Sequence, residues 1–296
     1  MFKFRAKTNT FHQWTSGNAH YEKDRNVTLD NISYPLISVI VAVLNGAKTI
    51  QQCINSISGQ SYEKIEIIII DGDSSDGTVD ILKKNTDHLS YWESKKDRGI
   101  AHAWNKALDI AKGDWSLFLG SDDWLDNEQT IETFVPCLKR YNDDDLVFGK
   151  VTHGKAGVVY GGPWLPKRFL RRMTIPHQAC FHGRKLFDRV NRFDENYKIG
   201  MDYELLLRAG PLRVHFCPIM VTQMGGYGLS SALHSVTLAE FRRAQIRHKV
   251  APRLFIEAWH VYRCTRRMLR VRSRFTRICN YFITHKKKET NKGFKL

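Results

Sequence analysis

The sequence predicts an α/β protein with a mostly parallel central sheet, helices on its faces and a helical C-terminal extension. Three observations carry this reading. Residues 67 to 70 are four consecutive isoleucines, a β-branched run without amphipathic alternation, as expected of a strand buried on both faces of a parallel sheet. Two more apolar runs, IleSerValIleValAlaValLeuAsn at 37 to 45 and Trp115 to Leu119, have the same character. Segments with apolar residues at helical spacing lie between them.

Taken in order, 37 to 45 is the first buried strand and Ile50 to Ile57 a helix. The isoleucine strand runs into AspGlyAspSerSerAspGlyThr, residues 71 to 78. Glycine tolerates backbone angles other residues avoid, and Asp and Ser bond to local backbone, so this is a turn at the carboxyl end of the strand. Open α/β sheets bind ligands there. Asp76 or Thr78 also suits the N-cap of a helix from Thr78 to Lys84, so the turn has a capping reading beside the ligand-binding one. TyrTrpGlu follows at 91 to 93, then a helix from Ala101 to Ala111. The strand at 115 to 119 ends in GlySerAspAspTrp, 120 to 124. Two buried strands thus end in acidic turns on one sheet edge, which capping alone does not explain. Beyond residue 145 the alternation loosens. GlyGlyProTrp at 161 to 164, ProHisGln at 176 to 178 and GlyGlyTyrGlyLeuSer at 225 to 230 mark loops, and 201 to 208 reads as a helix with Asp202 in its first turn. No internal repeat or low-complexity segment is evident.

At 296 residues the chain has room for one large domain or two ordinary ones. Its formal charge of +16 is unevenly placed: residues 251 to 296 hold 13 basic and 2 acidic side chains, or +11, leaving +5 for the rest. The six cysteines form no C-x-x-C pair, which argues against a zinc knuckle or redox motif and for reduced cytosolic thiols. The first 36 residues lack the apolar core of a secretory signal, and no run of about 18 apolar residues is present to span a membrane. The expected place is cytoplasmic.

Carboxylates at a strand end suit Mg²⁺ or Mn²⁺, which take oxygen ligands and keep positions open for substrate phosphates. Asp122 and Asp123 are adjacent and would diverge on a straight strand; only a turn lets both serve one ligand. A diphosphate with its metal fits. Neither a P-loop nor a G-x-G-x-x-G after the first strand is present to bind phosphate another way.

ValIleValAlaValLeuAsn, AspGlyAspSerSerAspGlyThr, GluSerLysLysAspArgGlyIleAlaHisAlaTrpAsnLysAla, PheLeuGlySerAspAsp, HisGlnAlaCysPhe and MetAspTyrGluLeu together resemble, in order and spacing, the motifs of bacterial family 2 glycosyltransferases of GT-A fold. The likeness covers roughly residues 36 to 230 and is greatest to the branch that builds O-antigen, capsule or exopolysaccharide. It implies a hexosyltransferase-type enzyme. Asp123 would coordinate the metal that bridges the diphosphate, and Asp122 would hold the ribose or share the metal. Asp71 would line the nucleotide pocket, Asp97 would lie beside the base, and Asp202 would be the general base. Asn45, in the first motif, belongs to the same nucleotide-sugar set. The usual AspAspGlySer is AspGlyAspSer here, with Gly72 where a second carboxylate often sits; either Asp73 substitutes or the nucleotide is not uridine. His177 touches the diphosphate or acceptor, or is a structural hydrogen-bonding residue. Lys106 shapes the nucleotide pocket or pairs with an acid. Arg171 and Arg172 are candidates for a phosphate or for a solvated basic face, and Trp164 for sugar stacking or for packing.

The chemistry then follows. A nucleoside diphosphate leaves as an anion, so a Lewis acid lowers the barrier without a proton donor. The acceptor hydroxyl loses its proton to a carboxylate as it attacks, an effect of about 10²- to 10⁴-fold, and in-line attack inverts the anomeric centre. The expected partners are a nucleoside-diphosphate sugar and a glycan or lipid-linked oligosaccharide acceptor, with no nucleic acid.

The expected organisation is an extension at 1 to 35, the transferase domain at 36 to 235 and a basic amphipathic tail at 236 to 296. In the tail Phe255, Trp259, Tyr262, Val271, Phe275, Ile278 and Phe282 recur at helical spacing, and ten Lys or Arg lie from Arg263 to Lys288. Such a helix suits an anionic bilayer interface, at about 1 kcal/mol per basic residue, and would hold the enzyme peripherally at the inner face of the cytoplasmic membrane; packing on the protein's own core or a dimer contact are the alternatives. Two other functions stay open at this stage, a metal-dependent nucleotidyltransferase and a nucleic-acid-binding protein using the Arg-rich tail.

Overall fold

The computed structural model describes residues 33–154, 157–226, 233–266 and 268–269. Two compact units divide after Val250, so the first extends past the residue-235 boundary expected above. Its sheet has the order β3-β2-β1-β4-β8-β6-β9-β5, with β7 paired to β6. The strands are β1 (Ile37–Val43), β2 (Ile65–Asp71), β3 (Tyr91–Ser94), β4 (Trp115–Gly120), β5 (Trp124–Leu125), β6 (Leu146–His153), β7 (Val158–Tyr160), β8 (Cys180–Gly183) and β9 (Val214–Met224).

The isoleucine run behaves as its composition demands. Ile68, Ile69 and Ile70 are fully buried and Ile67 nearly so. Val39, Val41, Ile67, Ile69, Leu117 and Leu119 enter one core cluster with Ile50, Cys53, Ile54 and Ile57 of α1 (Ile50–Ser58) and with Ile131, Phe134 and Leu138 of α4 (Thr130–Arg140). The intervening Ile40, Ile68, Ile70 and Phe118 are equally buried. On that face α3 (Ile100–Ile110) sets Trp104 at 5.0 Å from Phe118, ring centroid to centroid. Helix α2 (Thr78–Lys84) follows the β2 turn.

The parallel ladders β1·β2, β1·β4 and β2·β3 run flush: Val43 pairs with Asp71, Ala42 with Gly120, and Asp71 with Ser94. Four strands therefore deliver their last residues to one edge. Beyond β4 the sheet changes character, with β8 antiparallel to β4 and β6, β9 parallel to β6, and β5 antiparallel to β9. That half carries the looser patterning seen past residue 145.

Helix α7 (Met201–Arg208) packs on α8 (His234–Arg247). In the second unit, residues 253–266 are helical, and Phe255 and Tyr262 of the expected apolar stripe are exposed. Val271, Phe275, Ile278 and Phe282, like residues 1–32, lie outside the described residues.

At the opposite edge Glu66 ties the sheet's entry together. Its Oε1 accepts the Ser38 hydroxyl at 2.5 Å and the N–H groups of Lys112 and Gly113 at 2.5 and 2.8 Å. A Cβ on Gly113 would lie 2.5 Å from the Ser38 backbone nitrogen and 2.8 Å from the Trp115 carbonyl oxygen. Both obstacles are backbone and cannot rotate away. Gly113→Ala should destabilise the protein by about 1–3 kcal/mol through overpacking, read as a lower midpoint in urea or thermal unfolding; an unchanged midpoint would contradict the contact.

Candidate active site

The ends of β1 and β4 open onto a cleft of about 1750 Å³, which the turn after β2 reaches through Asp76. Its floor is built by turns that bind one another. After β1, Asn45 adopts φ +54°; its amide nitrogen donates to the Ser74 hydroxyl at 2.7 Å, and its side-chain oxygen accepts the Ser75 N–H at 3.0 Å. Gly46 N–H donates to the Thr78 hydroxyl oxygen at 2.9 Å, and Ala47 N–H to Asp76 at 3.0 Å. Asp76 also accepts the Thr78 hydroxyl and N–H, and the Thr78 hydroxyl, followed by these N–H groups, holds its carboxyl below the usual range.

Asp71 is placed by β2 but does not line the cleft. It is fully buried, and its carboxylate is consumed by the turn, accepting the Ser74 hydroxyl, the Ser74 N–H at 2.9 Å and the Ser94 hydroxyl at 2.6 Å. Asp73 is exposed at φ +77° and outside the lining. Lys106 is also outside it, bound to Glu93 at 2.9 Å, and this partner is the main reason Glu93 sits below its ordinary value. The Gly72 departure has a steric cause: a Cβ there would come 2.8 Å from Oδ2 of Asp97. Asp97, which lines the cleft and accepts Gly99 N–H at 2.8 Å, occupies that space.

Asn45, Asp97, Asp122, Asp123, His177 and Asp202 are brought together along the cleft. Asp123 is 3% exposed, and its carboxylate accepts Gly120 N–H at 2.9 Å and Gly225 N–H at 3.1 Å. Burial, with Asp122 adding to it, raises its pKa to about 7. Oδ2 of Asp122 is buried without a hydrogen-bond partner. Gly225, first of the loop glycines, is required by this contact, since a Cβ would overlap the Asp122 carbonyl and carboxylate; residues 227–230 of that loop are outside the described residues. Two adjacent carboxylates, one of them with an orphaned buried oxygen, are hard-oxygen donors that fit Mg²⁺ or Mn²⁺. Among the described residues no group of three or more His, Cys, Asp or Glu side chains could hold an ion alone, and substrate oxygens or water would supply further ligands.

Asp202, the second residue of α7, also lines the cleft. It is half-buried and accepts the Tyr203 N–H at 2.7 Å. Burial raises its pKa to about 6, and the charge of Glu240 pushes the same way. Glu240 itself was not legible as a site residue. From α8 its buried carboxylate accepts the N–H groups of Lys198, Ile199 and Gly200 at 2.8, 2.9 and 2.8 Å, the groups that precede α7. No local pattern ties Glu240 to a helix forty residues earlier.

His177 is buried with neither ring nitrogen partnered. Burial and then His182 keep its pKa well below the usual histidine value, so it is neutral. It sits in an aromatic box, 4.8 Å from Trp104 and 5.4 Å from Phe118. Of the other basic and aromatic candidates, Arg172 lines the cleft and Arg171 does not, while Trp164 packs on Phe169 at 5.1 Å.

Residues 38–202 match the family described as Glycosyl transferase family 2. A PGL/p-HBAD biosynthesis glycosyltransferase of Mycobacterium bovis (strain BCG / Pasteur 1173P2) is 31% identical over 177 residues, 59% of this chain and 69% of that protein. Among solved structures, S. aureus TarS 1-349 in complex with UDP-GlcNAc superposes with a TM-score of 0.57 at 19% identity, over 74% of this chain and 71% of that one. In another structure of that fragment the chain spans 65% of its length. The mannosyltransferase PcManGT from Pyrobaculum calidifontis, in complex with GDP-Man and Mn²⁺, gives 0.57 at 20% identity, over 81% and 73%. The shared architecture is the GT-A fold, with its curled central sheet.

The raised pKa of Asp202 has a stability consequence. A carboxyl whose folded value of about 6 lies above its ordinary 3.8 costs stability where it is ionised and nothing where it is protonated. Wild type should lose stability from this group as pH rises from about 4 to about 6. Asp202→Asn keeps the acceptor for Tyr203 N–H and should be more stable than wild type at pH 8 by about 1–2 kcal/mol, with the gain gone near pH 4. Thermal unfolding across that range checks this, and a pH-independent difference would contradict it.

Proposed function

The chain belongs to glycosyl transferase family 2, and from that premise we propose that it is an inverting, metal-dependent enzyme. It would move a sugar from a nucleoside-diphosphate donor to a glycan acceptor, lipid-linked, at the inner face of the cytoplasmic membrane during surface-polysaccharide assembly. Family membership sets aside the nucleotidyltransferase alternative.

One observation carries the reading: Asp122 and Asp123, at the end of β4, share a cleft with Asp202, a carboxylate lifted to about 6 and set on a separate helix. The first pair are donors for a metal at a diphosphate. The third has a pKa close to working pH, where a general base is most effective. A bound Mg²⁺ or Mn²⁺ would supply Lewis-acid stabilisation of the departing diphosphate. The protein's own residues do the remaining work. Asp202 accepts the proton of the attacking hydroxyl, and Glu240 fixes the backbone from which Asp202 projects. Asp97, lodged against Gly72, and Asn45, in its left-handed turn, shape the nucleotide side. His177, neutral and unpaired, offers one donor and one acceptor to the sugar or diphosphate. Attack from the Asp202 side on a sugar whose diphosphate lies at Asp122 and Asp123 inverts the anomeric carbon.

The tail supports peripheral membrane attachment. Among the described residues no helix is long and apolar enough to cross a membrane. In residues 253–269, Leu254, Phe255, Val261, Tyr262, Met268 and Leu269 are exposed beside Arg253, Arg263 and Arg266. Such composition suits an anionic interface.

Three outcomes are expected. Titration calorimetry with UDP, GDP and dTDP should give Mn²⁺-dependent binding of one nucleotide, lost in Asp123→Ala; no binding by folded protein would sink the donor assignment. With the donor known, Asp202→Asn should lower kcat about 10²- to 10⁴-fold with nucleotide affinity kept. The wild-type rate should fall as pH drops through about 6, and a variant retaining full rate would remove Asp202 as base. Deleting residues 251–296 should weaken co-sedimentation with anionic liposomes, and unchanged binding would exclude the tail as an anchor.

A further inference from the structure

A second surface, in the first unit, shows the same chemistry as the tail. Residues 146–187 contain eight Lys or Arg and no Asp or Glu. Within this stretch β7 presents Val158, Val159 and Tyr160 at 47, 51 and 53% exposure, and Leu165 follows at 49%. Successive strand residues point to opposite faces, so β7 is apolar on both faces, each about half exposed among the described residues. Among the described residues β7 pairs only with β6. An exposed apolar edge strand is ordinarily blunted, because it invites association. Here it is followed by four exposed cations, Lys167, Arg168, Arg171 and Arg172.

The position of this surface gives it meaning. Val159, Tyr160, Leu165, Arg168 and Arg172 line the cleft, whereas Val158 and Lys167 do not. The patch therefore runs from the rim of the transfer site outward. We infer that β7 and the segment through Arg172 form an interfacial contact that rests on an anionic lipid bilayer, with apolar side chains at the acyl boundary and cations among the headgroups. Apolar and cationic groups side by side, with no acid in the same stretch, match such a surface. The consequence is that the cleft opens at the membrane plane, where an amphiphilic acceptor can reach Asp202 without leaving the bilayer. The contact is separate from the tail; only this last consequence rests on the proposed function.

The test uses the full chain with vesicles of phosphatidylcholine alone or with 30% phosphatidylglycerol. Hydrogen exchange should show amides in 158–172 slowed by the anionic vesicles and unaffected by the neutral ones. Val158→Asp with Lys167→Glu, both at exposed positions outside the cleft, should weaken binding to anionic vesicles at least roughly tenfold, with unchanged unfolding midpoint and nucleotide binding. Protection confined to 253–269, or wild-type vesicle binding by the double variant, would overturn the inference while leaving the tail as anchor. Protection of 158–172 that instead tracks protein concentration, with a change of mass in light scattering, would assign the surface to a second copy and also overturn it. Loss of donor binding in wild type would defeat the transferase reading without touching these results.

Discussion

A carboxylate taken out of water needs N–H or O–H donors or cations around it, and the acids of this fold differ in how many such groups meet them. Asp71 is met by two hydroxyls and an N–H, Glu66 by a hydroxyl and two N–H groups, and Glu240 by three N–H groups. These are spent on architecture. Asp123 has two N–H groups against both burial and a neighbouring carboxylate, and Asp202 has one close N–H with Glu240 nearby. Their charge is under-compensated, and both line the cleft, as do Asp122, Asp97 and Asp76.

This division marks how far the sequence could be read. The strand at 67 to 70, the strand at 115 to 119 and the helix at 201 to 208 were legible because burial and periodicity are local properties of the chain. That two acidic turns share an edge followed from parallel pairing, and the register of Val43 with Asp71 and Ala42 with Gly120 agrees. Which aspartate of a turn faces ligand was not legible. Asp71 looks like a pocket residue until Ser74 and Ser94 are seen to enclose it, and Ser94 arrives on a strand 23 residues later. Gly72 read as a missing carboxylate, whereas the constraint is the side chain of Asp97. The mixed half of the sheet was equally hidden, because β6 finds β9 only after the chain has passed through β7, β8 and three α-helices.

The support of Asp202 shows why long-range contacts would matter to its proposed role as base. Glu240 holds the backbone before α7, and Gln245 donates from α8 to the Tyr203 hydroxyl oxygen at 3.0 Å and to the Leu170 carbonyl at 2.8 Å. Buried Glu204 accepts from Arg208 and pairs with His248 at 2.9 Å. From the other side Asn105 of α3 exchanges two hydrogen bonds with the Phe193 backbone at 2.8 and 3.0 Å. A carboxylate on a helix of eight residues is thus held by elements from both sides of its own sequence. Catalytic geometry tolerates little slack, since small displacements of a reacting group cost large factors in rate.

The same economy explains the polar atoms left unpaired. Trp104 Nε1, Asp122 Oδ2 and both nitrogens of His177 are buried without hydrogen-bond partners, and all three residues line the cleft. Such atoms cost about 1–3 kcal/mol each, and a fold that satisfies Asp71 so fully has the means to satisfy them too. Trp104, His177 and Phe193 pack around Phe118, which holds the Trp104 and His177 nitrogens in place. A ligand oxygen that reached these atoms would gain hydrogen bonds without first displacing protein partners, as is common where strain concentrates at a working site.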